Sequence, residues 1–232
     1  MMTKRIQSLS SSLFMASLFS AFLLTSAPAQ ASYSKNVAGF YLKHFALMKD
    51  LKDTTCKPFF NRIYRGGQPV FDGSDNWLKK IKSTPIKTVF DLRSESTNAA
   101  KERDALLQSG IGYVKLPLTT GGNVPPEFMT VEIAVPGNFV DGKPVSSPTI
   151  TKTRMTSIAA TMFVLDMMEE KISTQGNDSI YLHCQRGEDR TGLMVALLRD
   201  CSTTGWRSEF NSYGGVMYKP LQFLFNEVSK LR

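Results

Sequence analysis

An α/β domain with a central, mostly parallel sheet flanked by helices is the fold class this 232-residue sequence predicts. Three observations carry the prediction. From residue 86 onward, short runs of strand formers alternate with longer helix-like runs, in the order strand, helix, strand, helix, strand, helix. The chain is long enough to bury a core of ordinary size. Its most distinctive stretch, His183-Cys184-Gln185-Arg186-Gly187-Glu188-Asp189-Arg190-Thr191-Gly192, stands between a strand-like run and a helix-like run. That is the carboxyl end of a strand, where open parallel sheets place their sites.

The first 31 residues stand apart from this domain. Lys4 and Arg5 give a positive start, Leu13 to Leu24 is an apolar run, and Ala29-Gln30-Ala31 offers small residues. The run is shorter than the roughly 20 residues a membrane-spanning helix needs. The order reads as a secretory signal peptide cleaved after Ala31, so a periplasmic or secreted protein is expected, with no stable membrane insertion after leader removal. The leader holds two of the 28 basic residues and none of the 20 acidic ones, which leaves a net charge of +6 on residues 32–232. That balance suits an anionic substrate. No arginine-rich tract or nucleic-acid motif accompanies it, so a nucleic-acid partner is not expected.

Residues 32–60 have poor periodicity and read as an N-terminal arm; residues 61–232 read as the domain itself. Asn61 to Tyr64 predicts a short strand running into a turn at Gly66-Gly67. Ser74 or Asp75 is positioned to cap a helix through Trp77, Leu78 and Ile81. Ile86 to Leu92 predicts a strand, Thr97 to Gln108 a helix stopped by Gly110, and Ile111 to Leu118 another strand. An irregular stretch is expected from Thr119 to about Pro148. Thr151 to Ile172 predicts the longest helix, with Met155, Ile158, Met162 and Leu165 on one side. Ser179 to His183 is the next strand, and the decapeptide opens the helix after it. A short helix to Ser212 and a last helix carrying Leu221, Phe223, Leu224 and Val228 complete the chain.

The decapeptide has the parts that chemistry on a phosphate ester requires. A cysteine is a strong nucleophile at neutral pH once its pKa falls, which a helix N-terminus and nearby cations bring about. Cys184 occupies that position. The backbone N–H groups of residues 185–190 can curl into an anion cradle at the start of the helix, and Gly187 supplies the unusual backbone angles. Arg190 offers a planar fork for two phosphate oxygens. Thr191 can hydrogen-bond the sulfur, and His183 is read as orienting the loop. Substrate contacts are therefore expected from Gln185, Arg186, Gly187, Glu188, Asp189, Arg190 and Thr191. Three cysteines are present. With Cys184 as the working thiol, Cys56 and Cys201 are the remaining pair for a disulfide, a question spacing alone does not decide.

The pattern His-Cys-x5-Arg-Thr-Gly resembles the signature of the cysteine-dependent protein tyrosine phosphatases, especially the compact dual-specificity group. Tyr64-Arg65-Gly66-Gly67-Gln68-Pro69 and Thr88-Val89-Phe90-Asp91-Leu92-Arg93 are similar to early segments of bacterial dual-specificity-like phosphatases, some of them exported. The resemblance covers roughly residues 60–225. It implies a dual-specificity phosphatase-like fold, a phosphocysteine intermediate on Cys184, phosphoryl binding by Arg190, and neither metal nor other cofactor. The implied substrate is a phosphorylated protein or a small phosphate ester. The family takes its general acid from an aspartate after the strand that here ends near Leu118, and Thr119 to Gly122 contains none. Asp189, inside the cradle, and Asp141, at a hairpin-like Asp-Gly, are the candidates, followed by Glu127 and Glu132. Arg65 and Arg93 read as structural contacts at strand ends. Beside a phosphotyrosine phosphatase, an inositol phosphate or phosphoinositide phosphatase and a non-catalytic phosphate-binding module share these features.

Overall fold

The computed structural model describes residues 45–47, 62–71, 73–94, 97–173, 178–200 and 214–232. The leader, most of the arm, Cys56, Cys201 and the helix expected up to Ser212 lie outside these residues. Strands are β1 (Ala46–Leu47), β2 (Ile63–Gly67), β3 (Ile86–Arg93), β4 (Gly112–Leu118), β5 (Phe128–Val135), β6 (Phe139–Val140), β7 (Lys143–Pro144), β8 (Thr149–Thr156) and β9 (Ser179–Cys184). Helices are α1 (Asn76–Lys82), α2 (Ala99–Gln108), α3 (Ser157–Ser173), α4 (Asp189–Leu198) and α5 (Lys219–Leu231).

The main sheet has the order β1-β2-β9-β3-β4-β5-β8. Its four central strands, β2, β9, β3 and β4, are mutually parallel. Antiparallel strands extend both sides: β1 on β2, and β5 then β8 beyond β4. Successive residues of the central strands face opposite layers. Phe90, Leu182 and Leu116 pack with α3, α4 and α5 residues such as Leu165, Leu193 and Leu224. Val89, Tyr181 and Tyr113 pack on the other face with Trp77 and Ile81 of α1 and Leu106 of α2. The alternation of β-branched and aromatic residues in β3 and β9 thus serves two cores at once, as a parallel sheet covered on both faces requires.

Several expectations are corrected. Gly66 and Gly67 belong to β2 rather than to a turn, because they pair in register with His183 and Cys184 of β9. The stretch 119–148 is not irregular throughout: β5 runs antiparallel to β4, with Met129 and Val131 turned into the core. The long helix starts at Ser157, and residues 149–156 form β8 instead. The threonines at 149, 151, 153 and 156, with Ile150, favour extended backbone over helix. Thr156 then caps α3, its hydroxyl accepting from the Ala159 amide at 3.3 Å. On α1 neither Ser74 nor Asp75 makes the expected side-chain cap; Asp75 contributes only its carbonyl, to Lys79 N–H. Gly110 does end α2, in the left-handed region at φ +73°. On α5 the buried stripe is Leu221, Leu224, Phe225 and Val228, and Phe223 faces outward.

Candidate active site

β9 ends on Cys184 and α4 begins at Asp189, so the thiol sits directly before a helix N-terminus. The connection 185–188 is bent around it, and the Gly187 N–H donates to Cys184 Sγ at 3.3 Å. Amides can point inward only if their carbonyls turn outward, and the outward carbonyls find partners on β2 and just beyond it. Arg65, fully buried, donates through Nη2 to the carbonyls of Gly187 at 2.6 Å and Glu188 at 3.5 Å. The Gln68 N–H donates to the Gln185 carbonyl at 3.2 Å. The cradle's shape is therefore fixed from outside by a strand far away in sequence. Gly187 adopts φ +80°, and a Cβ there would lie 2.4 Å from the Gly66 carbonyl carbon and oxygen.

The electrostatics favour an ionised sulfur. Burial alone raises the pKa of Cys184. Hydrogen bonding from the Thr191 hydroxyl and amide, the Arg190 charge and the Arg186 amide outweigh it and hold the thiol below its ordinary value. The Thr191 hydroxyl is itself fully buried beside the sulfur whose ionisation it favours. Arg190 Nε is buried without a hydrogen-bond partner among the described residues. A guanidinium, several inward amides and a helix N-terminus thus converge on one nucleophilic atom.

A second layer of buried polar groups lies behind the thiol. Asp91 Oδ1 accepts from Arg93 Nε at 2.7 Å, and Asp91 Oδ2 accepts from Arg93 Nη2 and from the Tyr113 hydroxyl, each at 2.7 Å. Arg93 Nη2 also donates to Glu102 Oε2. Glu102 Oε1 lies 2.9 Å from His183 Nε2. The Tyr181 ring stacks on the His183 ring, and its hydroxyl donates to the Gly67 carbonyl at 2.6 Å. Burial raises the Asp91 carboxyl pKa, but His183 and Arg93 win and hold it at about 2. Asp91, Glu102 and His183 are close enough to share a cation. The Arg93 guanidinium already bonds both carboxylates, so a protein cation fills that electrostatic role. Composition alone does not distinguish Asp91 or Glu102 from the rest of the 20 acidic residues. The signal available was a glutamate on the same helical stripe as Ala99 and Leu106, where a charge needs a buried partner.

The four general-acid candidates separate clearly. Asp141 is exposed at the tip of the β6–β7 hairpin, with φ +51° followed by Gly142 at +75°, the geometry of a two-residue hairpin turn. The hairpin's Phe139 ring lies against Gly110, at the amino end of β4. Asp141 is thus at the opposite end of the sheet from Cys184, and its expected place over the site is corrected: the loop bearing it follows β5, which carries the chain away. The large cleft between α2 and this hairpin, lined by Asp104, Leu107, Pro144 and Val145, is equally remote from the thiol. Glu132 lies mid-strand between Arg103 at 3.0 Å and Lys152 at 3.1 Å. Burial raises its pKa, but these two cations bring it below the ordinary value, so it is an ionised partner and a poor acid. Glu127 precedes β5 at the thiol's end of the sheet, three strands away, on the order of 14 Å at ordinary strand spacing. Asp189 opens α4, and its Oδ1 accepts from the Val216 N–H at 2.6 Å. It is the candidate next to the cradle.

Residues 59–202 match the family model described as "Tyrosine phosphatase family". None of the curated proteins is similar to the chain at a significant level. Among solved structures, a DUF442 protein from Shewanella putrefaciens CN-32 is similar at 13% identity and TM-score 0.48, covering 82% of this chain and 93% of that one. Tk-PTP in its active form is 16% identical at TM-score 0.46, covering 76% and 97%. The core catalytic domain of the PP-IP phosphatase SIW14 from S. cerevisiae, in complex with citrate, is 17% identical at TM-score 0.42, covering 82% and 90%.

Proposed function

The chain belongs to the tyrosine phosphatase family, and from that premise we propose that it hydrolyses phosphate monoesters of protein phosphotyrosine through a phosphocysteine intermediate. The observation that carries the reading is the buried Cys184 sulfur beneath the Gly187 amide at the mouth of α4. In the first half-reaction the thiolate attacks phosphorus, the S–P bond forms, and the ester P–O bond breaks as the phenolic oxygen takes a proton. In the second, water gives a proton back to the carboxylate that protonated the leaving oxygen and attacks phosphorus, the S–P bond breaks, and inorganic phosphate leaves with the thiolate restored. Arg190 and the inward amides hold the equatorial oxygens throughout. Neither half-reaction needs a metal or a cofactor.

The rim supports an aromatic phosphoester on a peptide. The Gln68–Gln185 and Val216–Asp189 bonds bring the segments of Val70 and Val216 to the cradle. Both side chains are about half exposed, and Tyr218 is exposed beside Val216. Arg186 is the exposed cation of the loop itself, and Glu188 lies 3.8 Å from it. Such a rim contacts a ring better than it neutralises a polyphosphate. We further propose an exported location, on the signal-peptide pattern of residues 1–31; among the described residues no helix is long and apolar enough to cross a membrane.

The test is a panel of phosphotyrosine peptides, phosphoserine peptides and inositol phosphates, offered to reduced protein with acid-quench trapping of labelled phosphate. Label on Cys184 with fastest turnover on phosphotyrosine supports the reading; fastest turnover on inositol phosphates replaces the substrate; hydrolysis with no label on sulfur removes the mechanism. Arg190→Lys is expected to lower kcat/KM about 10²-fold, because a point charge does not replace a bidentate fork. We assign the leaving-group proton to Asp189. Asp189→Asn keeps an oxygen for the Val216 N–H and removes only the proton. It should slow phosphotyrosine peptides by about 10²-fold and para-nitrophenyl phosphate only slightly, since nitrophenolate leaves without help. Equal slowing of both substrates would leave Asp189 as a brace.

A further inference from the structure

We propose that Glu102, on α2, is a positioning residue of the thiol site: acting through His183, it keeps a cation and an aligned donor behind Cys184 and so sets how readily that thiol ionises. The inference rests on the reading of Cys184 as the nucleophile, and it adds a residue that never touches substrate. Glu102 is completely buried, on a helix that contributes nothing to the cradle. A buried carboxylate persists only beside positive charge. Its Oε2 takes the Arg93 guanidinium, and its Oε1 faces His183 Nε2 at 2.9 Å. Neither of the latter two atoms has a well-aligned hydrogen bond, so their contact is chiefly electrostatic. The far side of the same ring completes the link, with Nδ1 3.4 Å from the Cys184 carbonyl oxygen.

The groups around His183 leave Glu102 in control of its charge. On β3, Asp91 is occupied by the Arg93 guanidinium and the Tyr113 hydroxyl of β4, and Arg93 itself repels an imidazolium. On β9, Tyr181 stacks flat against the ring and offers no charge. On β2, Arg65 directs Nη2 to the cradle carbonyls. Burial favours a neutral imidazole, yet the carboxylates of Glu102 and Asp91 outweigh burial and Arg93, and the ring is raised toward the cation. With both ring nitrogens protonated, the ring's positive charge faces Glu102 through Nε2 at 2.9 Å, and Nδ1–H serves the Cys184 carbonyl of the residue that bears the sulfur. Two carboxylates then face two cations, Arg93 and His183. Removing the Glu102 charge releases the proton from His183, which withdraws one positive charge and one donor from behind the thiol.

The experiment titrates the thiol directly, through the pH dependence of Cys184 alkylation by iodoacetamide, and needs no phosphatase turnover. Failure of the phosphatase reading and failure of this inference are therefore separable. Glu102→Gln is expected to raise the ionisation midpoint by about one pH unit, which on the acid side is about tenfold slower alkylation. Glu102→Asp should recover part of the shift, and in a His183→Gln background Glu102→Gln should add nothing further. An unchanged midpoint in folded Glu102→Gln, or additive shifts in the double variant, overturns the proposal. The chain has only two histidines, His44 and His183, so wild-type protein supplies an independent reading by imidazole nitrogen NMR. A doubly protonated His183 at pH 7 supports the proposal. A neutral one overturns it, whether or not the variants fold.

Discussion

Cys184→Ser is expected to lower kcat on an aryl phosphate by at least about 10⁴-fold, the scale seen when a nucleophile is removed from a concerted site. The surroundings of residue 184 are built to ionise a sulfur, not an oxygen. An ordinary thiol titrates near about 8.5, within reach of the lowering that Thr191, Arg190 and the loop amides produce here. A serine hydroxyl titrates far higher, and the same groups leave it protonated. No base substitutes for the missing ionisation, because His183 is engaged with Glu102 and the residue-184 carbonyl. Phosphate binding should survive, since the amides and Arg190 are untouched. Stopped turnover with phosphate affinity within a few-fold of wild type, measured by competition and calorimetry, is the expected pair of results. Residual kcat within tenfold of wild type would remove the sulfur from the mechanism.

Gly187→Ala is expected to lower kcat/KM by about 10³-fold, comparable to losing oxyanion donors, and to destabilise the fold by about 3 kcal/mol. Two separate penalties coincide. The backbone at φ +80° costs an alanine about 1–2 kcal/mol. The added methyl would also overlap the Gly66 peptide at 2.4 Å. Gly66 has little freedom to retreat, because β2 pairs with β9 residue by residue from Ile63 to Gly67. Relief must come from the cradle, which turns the amide that now donates to the sulfur. Denaturant unfolding and steady-state kinetics measure the two effects; a variant within threefold of wild type on both would mean the loop tolerates reshaping.

Much of this site is legible in the residues themselves, for a definite reason. The nucleophile, the glycine, the arginine and the threonine follow one another in ten positions, so their spacing survives in one dimension. The alternation of strands and helices from residue 86 to 118 is equally plain, since each element carries its own period. The stretch after 118 is harder to read. Met129, Val131 and Ile133 do alternate, but Pro125-Pro126 and Pro136-Gly137 bracket them with loop punctuation, and the β5–β8 pairing that makes the strand is not local. The threonine-rich start of the expected long helix fails similarly, its strand character being decided by a partner. Loop length alone allows Asp141 many destinations; the direction of β5 takes it to the end of the sheet opposite Cys184. Glu102 is the instructive case. Its neighbours Ala99 and Leu106 announce a buried face, yet only the folded chain shows that the face meets a histidine and an arginine.

Arg65 gives the nucleophile loop a dependence that its compact motif conceals. The ten residues are contiguous, but the bond that turns the Gly187 carbonyl outward joins positions 122 residues apart. Contacts of such separation form late, once most of the chain has collapsed around them. A partly folded chain would thus carry the whole signature and still lack an anion receptor. Hydrolysis by this enzyme is in effect a report on the completed tertiary structure, and recovery of activity during refolding would mark its last long-range closure.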